Sequence, residues 1–351
     1  TFLLNFCYCG KFQKIFINID MKNFKIIYKN NLIYNLNQFN SKKICAMVKS
    51  NAYGHDLKDV VKIVEPYVDY FGVVSVEEGK EVRKLCDKPI LICSKVFDFS
   101  SCKKHNLEVM VDCESDLALC CKHGLKDLCH LKLNCGMNRF GIKSPLQARL
   151  INNFLEEKEI KLKSIYTHFP CSDNKKETWK NYRKFQELRA EIAQNAPVYF
   201  GGSGMIDFPF EFDMLRLGIG MYGYGKKNLK PVMEIKSFVS KKFYCQKGEN
   251  IGYSDEFKVS KSGFYAIVPV GYGDGLRRKL SNKFSVKINN KLFRSVGLIC
   301  MDCFFVEIDE SVSEGDAVSV MFDAEILAKP LKTISYEVLT GFSNFRGQTI
   351  V

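Results

Sequence analysis

The chain has 351 residues, 46% of them hydrophobic and 26% charged, the composition of a globular protein with one large domain or two ordinary ones. No uninterrupted apolar stretch approaches the roughly 20 residues that span a bilayer, and the start lacks the basic residues, sustained apolar core and small-residue cleavage site of a signal peptide. The formal charge of +13 is spread along the chain, and its densest cluster, LRRKLSNK at 276–283, has no interleaved aromatics, so the charge reads as solvated surface with a preference for anionic substrates, not nucleic acid.

In chain order, residues 1–23 are expected to be an N-terminal extension outside the fold. Residues 24–230 form the next segment, and within it 44–217 alternate between two textures. Short apolar runs fall at 44–48, 70–75, 89–93, 107–111, 129–133, 163–168, 197–200 and 213–217. Between most of them lie amphipathic stretches such as DLKDVVKIVEPYV, where Leu57, Val60, Val61 and Val64 form a helical stripe. Strands alternating with helices in this number predict a parallel (β/α)8 barrel of the TIM type. After the linker YGYGKKNLKP the texture changes. EIKSFVSKKFYC, FYAIVPV, FSVKINNKLFRSVG and MDCFFVEID are β-rich and separated by turn signals, which predicts an all-β domain over 231–351.

Fifteen cysteines lie inside apolar runs such as KKICAMVK, where a thiol acts as a small hydrophobe. Their odd count and the missing secretion signal favour a reducing cytoplasm. CMDC, Cys300 to Cys303, has CxxC spacing but no second pair and no nearby His, so no metal site is expected.

The chemistry-bearing residues collect where strands end, which in such barrels is the active face. Lys49 closes the first run and precedes SNAYGH. It is either a solvated strand-end lysine or a group that forms a Schiff base with an aldehyde cofactor. LKLNCGMNRFG carries Lys132 on the fifth strand and Arg139 beyond a glycine turn. A guanidinium there suits an anionic oxygen, although a surface arginine in a turn has the same pattern. YTHFPCSD places His168 at the sixth strand end. YFGGSG and LRLGIGMYG follow the seventh and eighth runs, where barrels often bind phosphate through backbone N–H groups. Ser203 adds a hydroxyl there and Arg216 lies just before. In the β-rich part, PVGYGDGLRR flanks Tyr272 with glycines, and GLICMDC carries Met301.

Taken in order and combination, VKSNAYGHD, LKLNCGMNRFG, THF, FDMLRLGIGMYG, GYGDGLRR and CMD resemble the alanine racemases, pyridoxal 5'-phosphate (PLP) enzymes of fold type III. The resemblance runs from about residue 24 to the end. It implies racemisation of L-alanine to D-alanine for peptidoglycan, by a homodimer with shared active sites. Lys49 would carry PLP and act as one base, and Tyr272 of the partner subunit would be the other. Arg216 would donate to the pyridine nitrogen and Arg139 to the phenolic oxygen. Tyr53, Ser203, Gly218 and Ile219 would hold the phosphate, and His168 would link Tyr272 to Arg216. The backbone of Met301 would face the substrate carboxylate. Lys132 matches a lysine that is carbamylated in many members. Four positions depart from the family pattern. Gly202 replaces an Asn, Asn134 an Asp and Leu298 an Arg, and Phe345 stands where a phosphate-binding tyrosine narrows the pocket. A racemase of wider specificity (serine or lysine), or a PLP-binding protein without catalysis, is the alternative.

Overall fold

The computed structural model describes residues 22–39, 42–170, 173–345 and 347–351. The described residues divide into two units, one within 28–232 and a second formed by 22–27 with those of 233–351. The first is a closed parallel barrel. Its strands are β1 (Lys43–Met47), β2 (Tyr70–Val73), β3 (Ile90–Ile92), β4 (Glu108–Val111), β5 (Cys129–Lys132), β6 (Ser164–His168), β7 (Val198–Gly201) and β8 (Met214–Leu217). Each matches one of the apolar runs. They are buried along nearly their whole length, as strands covered on both faces must be. The helix Leu57–Val64 follows from its stripe: Leu57, Val60, Val61 and Val64 are buried, and the Asp56 side chain caps its start by accepting from the Lys58 and Asp59 N–H groups.

The second unit is a nine-stranded sheet. Its order is Lys241–Cys245, Gly263–Val268, Phe304–Ile308, Lys291–Val296, Ser285–Ile288, Ala317–Met321, Met233–Phe238, Phe24–Ile27 and Gln348–Ile350. Two features differ from the sequence reading. Residues 24–27, expected within the barrel segment, form a strand that pairs antiparallel with Met233–Phe238 and parallel with Gln348–Ile350. The barrel offers it no edge, because β1 already pairs with β8. The β-rich stretch also holds two short helices, Ala324–Leu331 and Ser335–Gly341, the first capped by Asp323. Of the expected extension, residues 1–21 lie outside the described residues, while Asn23 accepts from Ser237 Oγ at 2.7 Å within the sheet unit. Among the described residues, no helix is long and apolar enough to cross a membrane.

Candidate active site

Lys49 sits where β1 ends, half-buried at the C-terminal mouth of the barrel. The residues after it, Ser50 to Tyr53, take φ between +52° and +54°. A left-handed turn costs about 1–2 kcal/mol per non-glycine residue, so the surroundings must hold it. Glu78 does so with one carboxylate, accepting from the Ser50 N–H at 2.7 Å and the Val74 N–H at 2.9 Å. Asn51 Oδ1 accepts from Leu57 N–H at 2.8 Å. Tyr53 stacks on Tyr222 at 4.8 Å, and the Tyr222 hydroxyl donates to the Met47 carbonyl. Burial, with the Arg139 and Arg216 guanidiniums, lowers the Lys49 ammonium below its ordinary range. A neutral amine is therefore accessible nearer neutral pH.

Arg216 projects from β8 and is only 6% exposed. Its Nη2 donates to the Thr167 carbonyl at 2.6 Å, its Nη1 faces Cys93 Sγ at 3.8 Å, and the guanidinium lies 4.5 Å from the Tyr166 ring centroid. Its Nε is buried with no partner among the described residues. Gly201 makes room for this arrangement. A Cβ there would stand 2.4 Å from Arg216 Nη2 and 2.5 Å from His168 Nδ1.

Lys132, His168 and Arg139 line one small cavity with Asn134 and Phe140. Lys132 is 4% exposed and rests 5.2 Å from the Phe140 ring and 5.6 Å from the Tyr166 ring. Burial, then Arg216 and Arg139, push its ammonium down to about 8. Burial and the same two arginines, with both lysines, push His168 down to about 3, so its imidazole is neutral at ordinary pH. Arg139 is exposed, on a loop held by Asn134 Oδ1, which accepts from Gly136 and Asn138, and by Asp112, which accepts from Gly141 N–H at 2.8 Å. Among the described residues, the side chains of Lys49, Lys132 and Arg139 make no hydrogen bond or ion pair.

The loops after β7 and β8 form a small donor cradle. Ser203 Oγ accepts from Gly220 N–H at 3.0 Å, which leaves its own proton to donate. The N–H groups of Gly218 and Ile219 meet no acceptor among the described residues. The Tyr53 hydroxyl lies beside Gly218, where a Cβ would stand 2.6 Å from it. This donor set fits PLP. The cradle suits its phosphate, the cations suit its oxygens, and the orphaned Arg216 donor suits a ring acceptor.

Tyr272 and Met301 lie together on the sheet unit. Tyr272 is 43% exposed and Met301 63% exposed. The Tyr272 N–H donates to the Cys300 carbonyl at 3.0 Å and the Gly273 N–H to the Met301 carbonyl at 2.9 Å. Asp274 closes the turn by accepting from Gly271 N–H at 3.0 Å. Phe345 is buried against Phe342.

Sequence reasoning did not select Cys93, Tyr166, Glu78 or Asp112. The available signal for Cys93 and Asp112 was position, since each directly follows the end of a barrel strand. Among the described residues, one group could hold a metal ion: Asp112, Cys113 and Asp116. Lys95 Nζ already supplies a cation there, 2.6 Å from Asp116 and 3.4 Å from Asp112.

Residues 27–226 match the alanine racemase N-terminal domain and residues 232–349 the C-terminal domain. The alanine racemase of Borreliella burgdorferi strain ZS7 is 30% identical over 91% of this chain and 95% of its own length. The solved alanine racemase of Clostridium difficile 630 is 28% identical and superposes with a TM-score of 0.86 over 94% of this chain and 95% of that one. Two further folds are as similar in shape at lower identity. One is alanine racemase from Bartonella henselae with covalently bound pyridoxal phosphate (22% identity, TM-score 0.87, covering 94% and 99%). The other is histidine racemase from Leuconostoc mesenteroides (19%, TM-score 0.85, covering 95% and 98%). Matched through both of its domains, the chain belongs to the alanine racemase family of PLP-dependent isomerases.

Proposed function

We propose that the chain interconverts L- and D-alanine with PLP carried on Lys49, and that Lys49 and the partner subunit's Tyr272 move the proton on opposite faces of the substrate. The observation that carries this reading is the convergence of Lys49, Lys132, Arg139 and Arg216 at the barrel mouth, where burial and mutual repulsion depress both lysines. Unpaired buried cations are costly, and a bound anion offsets that cost.

Bound PLP supplies an electron sink that makes the substrate's Cα–H acidic. Tyr53, Ser203, Gly218 and Ile219 take its phosphate, Arg139 its phenolic oxygen and Arg216 its ring nitrogen. A guanidinium keeps its proton, its pKa being above about 12. Arg216 therefore donates a hydrogen bond without protonating the ring, which disfavours transamination and decarboxylation. Lys49, with its depressed pKa, accepts a proton as a neutral amine on one face. The partner's Tyr272 serves the other face, and His168 links its hydroxyl to Arg216. The partner subunit's Met301 meets the substrate carboxylate with its backbone. Lys132 is largely neutral above pH 8 and can take up carbon dioxide as a carbamate, whose negative charge would orient Arg139. The active form is a cytoplasmic homodimer, and its D-alanine supplies peptidoglycan.

Gly202 and Phe345 bear on substrate choice. Phe345 lacks a hydroxyl that would reach the phosphate, a loss of about 0.5–1.5 kcal/mol, and changes one pocket wall. The test compares turnover of L-alanine, L-serine, L-lysine and L-histidine by the PLP-loaded protein. The fastest rate on L-alanine supports the reading. A faster rate on any of the others overturns alanine specificity, and a protein that binds PLP without racemising any of them overturns catalysis.

A further inference from the structure

The CMDC turn is the one CxxC motif in the chain, and the function above does not use its sulfurs. It is a two-residue turn closed by the Cys300 N–H donating to the Cys303 carbonyl at 2.8 Å. With backbone bond lengths fixed, a bond of that length keeps the two Cα atoms within about 7 Å, the outer limit that a disulfide bridges. Both cysteines are free thiols, Cys300 buried and Cys303 half-buried, and the Cys300 Sγ faces the Leu298 carbonyl at 3.7 Å. The turn also carries the Tyr272 segment. Tyr272 N–H hangs on the Cys300 carbonyl and Gly273 N–H on the Met301 carbonyl. A Cβ on Gly271 would stand 2.2 Å from the Met301 oxygen, so the two backbones are packed without slack.

We propose that Cys300 and Cys303 are a dithiol modification site, in which oxidation to a disulfide by a small-molecule disulfide displaces the Tyr272 turn and silences the enzyme. The effect on activity rests on the racemase reading; the crosslink does not. In the first step the deprotonated Cys303, the more exposed thiol, attacks the oxidant R–S–S–R. The oxidant's S–S bond breaks, a mixed disulfide forms and RS⁻ leaves. Cys300 then loses its proton and attacks Cys303 Sγ, expelling the second RS⁻. Two protein thiols become one disulfide, and the oxidant becomes two RSH. Burial, then Cys300 and Asp302, hold the Cys303 thiol up at about 12. The exchange is therefore slow at neutral pH and faster in alkali, because the thiolate is the nucleophile.

The test treats full-length, PLP-loaded protein with oxidised glutathione and reads two quantities. One is the mass of the peptide 295–332, whose only cysteines are these two. The other is L-alanine racemisation. The expected result is loss of two hydrogens from that peptide and a fall in rate on the order of 10²-fold, the size of a roughly 1 Å misplacement of a reacting group. Dithiothreitol should reverse both. Cys303→Ser should keep the basal rate, form no crosslink and resist the oxidant, and Cys300→Ser serves if that variant does not fold. Absence of the crosslink, a crosslink without loss of rate, or equal loss in the serine variant overturns the proposal. A protein inactive before oxidation overturns the racemase reading, and the peptide mass still decides the dithiol site.

Discussion

At the floor of the barrel, His130 Nε2 meets Glu108 Oε2 at 2.7 Å and its Nδ1 meets Ser164 Oγ at 2.7 Å. The Tyr70 and Tyr199 rings pack beside it. At the mouth, on β5 and β8, Lys132 is buried over aromatic rings with no acceptor, and Arg216 keeps an orphaned Nε. Both ends bury polar groups to a similar depth. The floor pairs them, which secures the barrel. The mouth leaves the Lys132 ammonium and the Arg216 Nε unpaired, which costs stability and is tolerated where a ligand completes the pairing. Glu78 and Asn51 show the same pattern at the backbone, since they hold a left-handed turn whose product is the placement of Lys49.

The largest effect separates the two ends by function. Lys49→Ala should abolish racemisation and leave the thermal stability set by the floor intact. Tyr272→Phe should lower racemisation and α-proton exchange of L-alanine by about 10²–10⁴-fold, the usual contribution of a general base. Exchange of D-alanine into deuterated solvent should persist through Lys49. Equal loss for both enantiomers would remove the two-base account.

The next effect separates them by the sign of a stability change. Glu108→Ala at the floor leaves the buried His130 Nε2 without its hydrogen-bond partner and should destabilise the fold by about 1–3 kcal/mol. Lys132→Met at the mouth should do the opposite. The folded-state pKa of Lys132 is depressed from 10.5 to about 8, so below pH 8 the fold holds a charge that the unfolded chain solvates better. Stability of the parent should rise as pH climbs from about 8 to 10.5, because over that window only the unfolded chain keeps the proton. In PLP-free protein and carbon-dioxide-free buffer, Lys132→Met should gain about 3 kcal/mol below pH 8 and lose that slope. Denaturant unfolding at several pH values reads both variants, and equal destabilisation would erase the distinction between the two ends.

The smallest effect tests the cradle. Ser203→Ala removes one neutral donor and should weaken PLP binding about two- to tenfold, with little change in fold stability. Binding unchanged by that substitution would take Ser203 out of the phosphate site.

The barrel was legible because each strand is a short apolar run and the helices between carry a 3.6-residue stripe, as at Leu57, Val60, Val61 and Val64. The strand Phe24–Ile27 was not identified, because FKII is too short to announce a strand or to say which sheet has an open edge. The helices Ala324–Leu331 and Ser335–Gly341 were missed because each is about two turns long, one with Pro330 inside, too short for a period to emerge. At the site, the lysines, arginines and glycines were selected through motif order. Their electrostatic state was not, since the depression of Lys132 and His168 comes from residues far apart in sequence converging on one mouth. The left-handed turn was equally hidden, because SNAY contains no glycine to announce positive φ.

The central claim is that the unpaired cations of the mouth are arranged around PLP held on Lys49, and peptide mapping tests it most directly. The PLP-loaded protein is reduced with borohydride and digested, and the pyridoxyl-lysine is located by mass spectrometry. The account predicts one adduct, on Lys49, and none in Lys49→Ala. An adduct on Lys132, the other depressed lysine of the same mouth, or on any lysine elsewhere would contradict it.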